Sequence, residues 1–197
     1  MLILDPKTLE PTEEQRIIID GITWQQYINL ADVFVDTFPR LTYLEGKLEI
    51  IMTASTEHER LKKIVARLIE AYAEEKNIDL NGYGNATFRR EAAARGAEPD
   101  ECYCLGELRE VPDLVIEIAL SSGGINKLDV YRGLEIPEVW FWENNQFSIY
   151  FLQNDKYQKT NSSLLLAQLD LSLLVSYMSQ SSQTQAVKAY RKALQNS

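Results

Sequence analysis

The sequence predicts one mixed α/β domain, and three observations carry that expectation. Short apolar and β-branched runs alternate along the chain with longer stretches whose apolar residues recur at helical spacing. One of the short runs, Asp113 to Leu120, is almost wholly apolar, as a central strand covered on both faces should be. No repeat, linker or shift of composition divides the chain, and 197 residues suffice for one well-packed domain but are few for two. We therefore expect a single domain over 1–197, with an N-terminal arm over 1–20 and a C-terminal helical extension over 160–197.

In the arm, Pro6 and Pro11 break regularity, and Ile17 to Ile19 can form a short strand. Thr23-Trp-Gln-Gln26 reads as a capping box, with Thr23 as N-cap and Gln26 as its N3 partner. Trp24, Tyr27, Ile28, Ala31 and Val35 then follow helical spacing, and the helix should end before Pro39. Leu41 to Met52 reads as two short strands around a tight turn at Glu45-Gly46. Ser55 or Thr56 caps a long helix running to about Lys76, with Leu61, Ile64, Val65, Leu68 and Tyr72 as its buried stripe and Glu59, Lys62, Lys63, Glu70 and Glu74 facing water.

Asn81 to Gly84 reads as a turn, Ala86 to Arg90 as a strand, and Glu91 to Gly96 as a loop or short turn. Glu98 to Leu105 and Asp113 to Leu120 are the next strands, followed by a short helix over Ile125 to Leu134. Glu138 to Glu143 and Phe147 to Leu152 form a hairpin through Asn144-Asn145, residues that tolerate positive φ. Lys156 to Lys159 adds a strand, and Ala167 to Met178 and Thr184 to Leu194 read as helical segments that fray at the end.

Composition excludes several classes. Apolar residues make up 45% and charged residues 25%, as in ordinary globular proteins and unlike disordered or fibrous ones. No run approaches the roughly 18 apolar residues of a membrane span, and Met1 to Glu10 lacks the basic-then-apolar pattern of a signal peptide. A cytoplasmic protein without membrane partners is expected. Cys102 and Cys104 point the same way on a strand. With one His and no second cysteine pair, a zinc site lacks ligands, so buried reduced thiols are expected. The formal net charge of −9 argues against tight, non-specific DNA binding, although a local basic strip is compatible with it.

The chemistry concentrates between Pro99 and Lys127. In the strand from Asp113, Leu114, Ile116, Ile118 and Leu120 face one way, and Asp113, Val115, Glu117 and Ala119 the other. Glu117 is thus an acid in an otherwise apolar strand, and burying it costs several kcal/mol unless a metal ion, a lysine or a hydrogen-bond network compensates it. Asp100, just after Pro99 at the start of the neighbouring strand, offers a second acid. Two such carboxylates suit Mg2+ or Mn2+, which take oxygen ligands and waters. Lys127 is the best placed cation, with Tyr131 one turn on along the same helix face. From spacing alone, each acid could equally be a solvent-facing or turn residue.

The order of motifs adds a resemblance. A Leu-Glu-Gly-Lys-Leu hairpin (44–48) precedes Ser-Thr-Glu-His (55–58) at a helix start. Thr-Phe-Arg (87–89), Glu-Pro-Asp (98–100) and Pro-Asp-Leu-Val-Ile-Glu-Ile (112–118) follow, then Lys127, Tyr131 and Ile-Pro-Glu-Val-Trp-Phe-Trp-Glu (136–143). This series resembles the Uma2 family, also called DUF820, which is widespread in cyanobacteria and assigned to the PD-(D/E)XK restriction-endonuclease-like superfamily. The match covers about residues 20–155. It implies a central mixed sheet flanked by helices and a metal-dependent endonuclease site using Mg2+ or Mn2+.

On that resemblance Asp100 matches the Asp of the PD motif and Glu117 the acid of the (D/E)XK motif, the two implied metal ligands. His58, or Glu57 beside it, matches the polar position at the start of the first core helix. His58 shares a face with Leu61 and Val65 and should point inward. Glu45 or Glu49 could add a further acid. The motif's lysine should stand two residues after Glu117, where this chain has Ala119, and Lys127 with Tyr131 fits a displaced arrangement. The intervening loop, Ser121 to Gly124, is short, and Asp113 reads as a structural residue at the strand entry.

Two functions follow. One is a hydrolase acting on DNA, in which Asp100 and Glu117 bind metal, Lys127 assists the water or phosphate, and His58 or Glu57 completes the site. Arg89, Arg90, Lys62 and Lys63 could reach phosphates, although exposed basic residues are commonly only solvated. The other is a catalytically decayed nuclease fold serving as a binding or assembly module. The aromatic hairpin Trp140, Trp142, Tyr150 and Phe151 is either sheet core or the surface of a homodimer.

Overall fold

The computed structural model describes residues 15–34, 39–52, 55–84, 86–119 and 124–196. Part of the expected arm is a strand, β1 (Arg16–Asp20), while residues 1–14 lie outside the described residues. Helix α1 (Trp24–Val33) starts where the capping box sets it. The Gln26 N–H donates to the Thr23 hydroxyl, and the Thr23 N–H to Gln26 Oε1 at 2.8 Å. Strands β2 (Arg40–Leu44) and β3 (Lys47–Ile51) turn at Glu45 and Gly46, both at positive φ. Ser55, not Thr56, caps α2 (Thr56–Glu75), whose predicted stripe is buried throughout.

Two segments differ from expectation. Leu80–Gly82 is not a turn but a short strand, β4, paired antiparallel with β7 (Glu101–Leu105). After β5 (Phe88–Arg90) and a single 3-10 turn, the stretch expected as a loop enters the sheet as β6 (Arg95–Ala97) and is buried. The physical reason is tertiary. The Tyr27 ring lies so close over Gly96 that no side chain fits there. Arg95, beside it, is satisfied by the carbonyls of Ala93 and Asp129 and by Glu45. Glycine and alanine are poor strand formers locally, and the packing overrides that preference.

Strand β8 (Leu114–Ile118) is buried at all five positions. It runs parallel to β9 (Glu138–Glu143) through α3 (Lys127–Gly133), a βαβ crossover. β10 (Gln146–Gln153) returns through Asn144 and Asn145 at positive φ, and β11 (Lys156–Thr160) follows after a second such turn. The strands form a five-stranded antiparallel sheet, β1-β3-β2-β6-β5, and a six-stranded mixed sheet, β11-β10-β9-β8-β7-β4. The fold class is therefore as expected, restriction-endonuclease-like with a mixed sheet flanked by helices, and the N-terminal strands add a sheet of their own.

The alternation along β8 sets the layers. Leu114, Ile116 and Ile118 pack under α2 in one core, together with Trp140 and Trp142 of β9. Val115 faces the opposite core, with Val130 and Tyr131 of α3 and Ala97 of β6, where the two sheets meet. Each such large apolar side chain, once buried, contributes about 1.5–3 kcal/mol. The two tryptophans are sheet core and not a dimer surface.

The C-terminal helices dock on α2. α4 (Leu171–Met178) and α5 (Gln183–Leu194) bury Leu174, Met178, Tyr190 and Leu194, and Arg191 pairs with Glu74 and Glu75. Among the described residues no helix is long and apolar enough to cross a membrane. Cys102 and Cys104 are buried free thiols.

Candidate active site

The last register pairs between β7 and β8 are Glu101 with Ile116 and Cys102 with Val115. Extending that antiparallel register by one residue sets Asp100 opposite Glu117, on one face of the sheet. Both are buried, at 1% and 5% exposure, among strands that are apolar on either side. Each carboxylate is held by its own set of donors.

Asp100 Oδ2 accepts the Ile118 N–H at 2.8 Å, across the strand pair. Its Oδ1 accepts from the Arg40 guanidinium and lies 2.8 Å from His58 Nε2. Burial opposes the charge on Asp100, but the His58 hydrogen bond and the Arg40 charge outweigh it and hold the carboxyl below the usual carboxylate range. His58 stands three residues after the Ser55 cap, on the face of α2 that carries Leu61 and Val65 into the core.

Glu117 Oε1 accepts from Lys127 Nζ at 2.8 Å and from the Tyr131 hydroxyl. Burial pushes Glu117 up, and the Lys127 charge pulls it back. The Lys127 ammonium is opposed by its own burial, yet Glu117 and Asp100 together keep it above its ordinary value. Lys127 opens α3 behind the Asn126 cap, and Tyr131 follows one turn later. The helix thus delivers to Glu117 a lysine that the strand itself, with Ala119, does not supply. Residues 120–123 of the connecting loop lie outside the described residues.

Asp100, Glu117, Lys127, His58 and Arg40 line one cavity of about 360 Å3 that also takes in Thr42, Glu49, Glu98, Arg16 and Asn126, with Tyr131 buried behind Glu117. Glu49 is 1% exposed. Its Oε1 accepts the Ile125 N–H at 3.1 Å and pairs with Arg16 at 3.4 Å, whereas Oε2 has no hydrogen-bond partner among the described residues. Gly124, at φ +102°, leaves room for that Arg16–Glu49 pair, which a side chain there would strike. Glu98 is half-buried in the cavity wall, and burial raises its pKa.

Of the residues singled out from the sequence, Asp100, Glu117, Lys127 and His58 converge. Glu57 does not. One residue before His58 it turns about 100° around the helix, and there it is exposed and bound to Arg60 at 2.7 Å. Glu45 also lies away from the cavity, paired with Arg95, and leaves Glu49 as the hairpin's inward acid. Asp113 accepts the Leu105 N–H and pairs with Arg109, a structural arrangement. None of Lys62, Lys63, Arg89 and Arg90 lines the cavity. Arg89 pairs with Asp32, Arg90 with Glu135 and Lys62 with Glu59.

Arg40 and Arg16 are the residues that sequence reading did not find. A faint signal existed for Arg40: with Thr42 it places two polar side chains on one face of an otherwise apolar strand, and both are buried.

Hard oxygen donors are what a Mg2+ or Mn2+ ion requires. Asp100, Glu117 and the unsatisfied Oε2 of Glu49 on one cavity fit that requirement. Among the described residues, however, no three acidic, histidine or cysteine side chains already stand in a ligating cluster, and Arg40 supplies the positive charge at Asp100.

Residues 24–182 match the model of the Uma2 family, which carries the description "Putative restriction endonuclease". A solved structure described as "a putative nuclease belonging to DUF820", from Anabaena variabilis ATCC 29413, superposes with a TM-score of 0.58 at 16% identity. The match covers 80% of this chain and 99% of that one, a likeness of fold. No protein of curated function matches.

Proposed function

Because the chain belongs to the Uma2 family, we propose that it is a Mg2+- or Mn2+-dependent endonuclease that hydrolyses phosphodiester bonds in DNA. The observation that supports this reading best is the burial of Asp100 opposite Glu117 on one cavity, with Lys127, Tyr131, His58 and Arg40 bonded to them. Asp100 and Glu117 would hold the ion, with Glu49 as a further carboxylate on the same cavity. An ion bound there supplies Lewis-acid help, activating water and neutralising phosphoryl charge.

The remaining work falls to the chain's own side chains. Lys127, fixed against Glu117, presents ammonium protons to the attacking water or to a phosphoryl oxygen. His58 orients Asp100 through Nε2. Arg40, whose fork suits phosphate as well as carboxylate, is placed to bind the phosphodiester once it is released from Asp100. With Arg16 and Lys127 it sets three cations in the cavity against the carboxylates of Glu49, Glu98, Asp100, Glu117 and Glu143.

Plasmid nicking with Mn2+ tests the reading. Asp100→Asn and Glu117→Gln keep the shape of both side chains and should each lower the rate by at least ~10²-fold, the effect of losing an electrostatic group at a reacting centre. Equal nicking by all three proteins would sink the assignment. One observation favours a second reading, a decayed site retained as a binding module: the Arg40 guanidinium already neutralises Asp100. Calorimetric titration showing no uptake of Mg2+ or Mn2+ would select it.

A further inference from the structure

Strand β1 stands at the edge of the five-stranded sheet, and among the described residues it has a neighbour, β3, on one side only. Its middle is Ile17-Ile18-Ile19, exposed at 49, 45 and 39%. The strand carries neither the proline nor the lysine that commonly blunts an edge.

The register with β3 settles which backbone groups face outward. Gln15 and Met52 continue the β1–β3 register, and the Met52 N–H donates to the Gln15 carbonyl at 2.9 Å. Antiparallel pairs alternate between bonded and non-bonded, so the odd-numbered Ile17 and Ile19 direct their backbone groups at β3. Arg16, Ile18 and Asp20 direct theirs away from β3. That outward row is symmetric about Ile18. An antiparallel copy of the same strand would set Ile18 against Ile18, Arg16 against Asp20 and Ile17 against Ile19. Arg16 and Asp20, which pair within the chain with Glu49 and Lys47, then stand opposite each other at both ends, apolar side chains meet between them, and the outward N–H groups of the two strands meet carbonyls.

We propose that the chain forms a twofold dimer by pairing β1 with β1 of a second copy, joining the two five-stranded sheets into one continuous sheet. The inference is independent of hydrolysis. It bears on the site all the same, because Arg16 lines the cavity beside Glu49 and the partner's Asp20 would stand opposite Arg16.

Sedimentation equilibrium of the full chain should give twice the monomer mass. Ile18→Cys should cross-link to itself under copper phenanthroline and oxygen, since bonded antiparallel pairs hold their Cα atoms about 5.5 Å apart, within disulfide reach. Ile17→Cys, which faces residue 19 of the other copy, should not, and the native Cys102 and Cys104 are buried. Ile18→Pro removes an N–H that the β3 ladder does not use, so it should leave a folded monomer. Ile18→Lys, which sets two ammonium groups together at the twofold axis, should give a monomer as well. A monomeric wild type, or a dimer that survives both substitutions and yields no Ile18→Cys cross-link, overturns the proposal. The edge is then covered by a segment of the same chain or by another protein's strand.

Discussion

Replacing Lys127 by Met is expected to cost both activity and stability, and the two losses separate in a double-mutant cycle. Lys127 Nζ sits 2.8 Å from Glu117 Oε1, with both side chains largely out of water. Without the ammonium, Glu117 keeps, among the described residues, only the Tyr131 hydroxyl as a side-chain donor, and its charge is left uncompensated in the cavity wall. Breaking a buried pair from one side costs about 3–5 kcal/mol. For a chain of this size each kcal/mol moves the midpoint by roughly 2–4 °C, so calorimetry should show Tm falling by about 6–20 °C.

Adding Glu117→Gln removes the orphaned charge and should return most of the lost stability, because a buried pair replaced on both sides is often near neutral. Nicking should stay at least ~10²-fold down in both variants. If Lys127→Met melts like the wild type, Glu117 is not the buried, lysine-dependent carboxylate described here.

Glu138→Ala should give the largest loss of stability outside the site. Glu138 is fully buried at the start of β9, and its two oxygens organise the chain after β11. Oε1 accepts from Trp140 Nε1 and from the Ser163 hydroxyl, each at 2.6 Å. Oε2 accepts the N–H groups of Leu164 at 2.8 Å and Leu165 at 3.3 Å. Truncation leaves those donors without their acceptor, at about 1–3 kcal/mol for each that stays dry. We expect urea unfolding to show a loss of at least ~3 kcal/mol, with Glu138→Gln recovering part of it by retaining one acceptor oxygen. A loss below about 1 kcal/mol, the level of an ordinary surface change, would show that water replaces the carboxylate.

How far the site was legible depends on how local its determinants are. The phase of β8 isolates Glu117 as an acid in an apolar strand, and helical phase sets His58 on the buried side of α2 and Glu57 outside. Lys127 and Tyr131 need only the four-residue spacing of one helix face. Arg40 and Arg16 were hidden because each reaches the cavity from a strand of the first sheet, and nothing near them in sequence reveals which carboxylate they meet. Arg95 and Gly96 of β6 read as the end of the Glu91 to Gly96 loop for the same reason. Their strand character comes from the Tyr27 ring over Gly96 and from partners of Arg95 as distant as Glu45. Glu138 read as one more strand residue, since its donors at 163–165 lie beyond two further strands.

On the proposed function, Asp100 and Glu117 together hold a divalent cation. Crystals soaked in Mn2+ and recorded for anomalous scattering test it most directly. One strong peak is expected within about 2.1 Å, the spacing of hard-cation ligands, of a carboxylate oxygen of each residue, with the Arg40 guanidinium displaced from Asp100. No peak in the cavity, with Arg40 still bonded to Asp100, would contradict it.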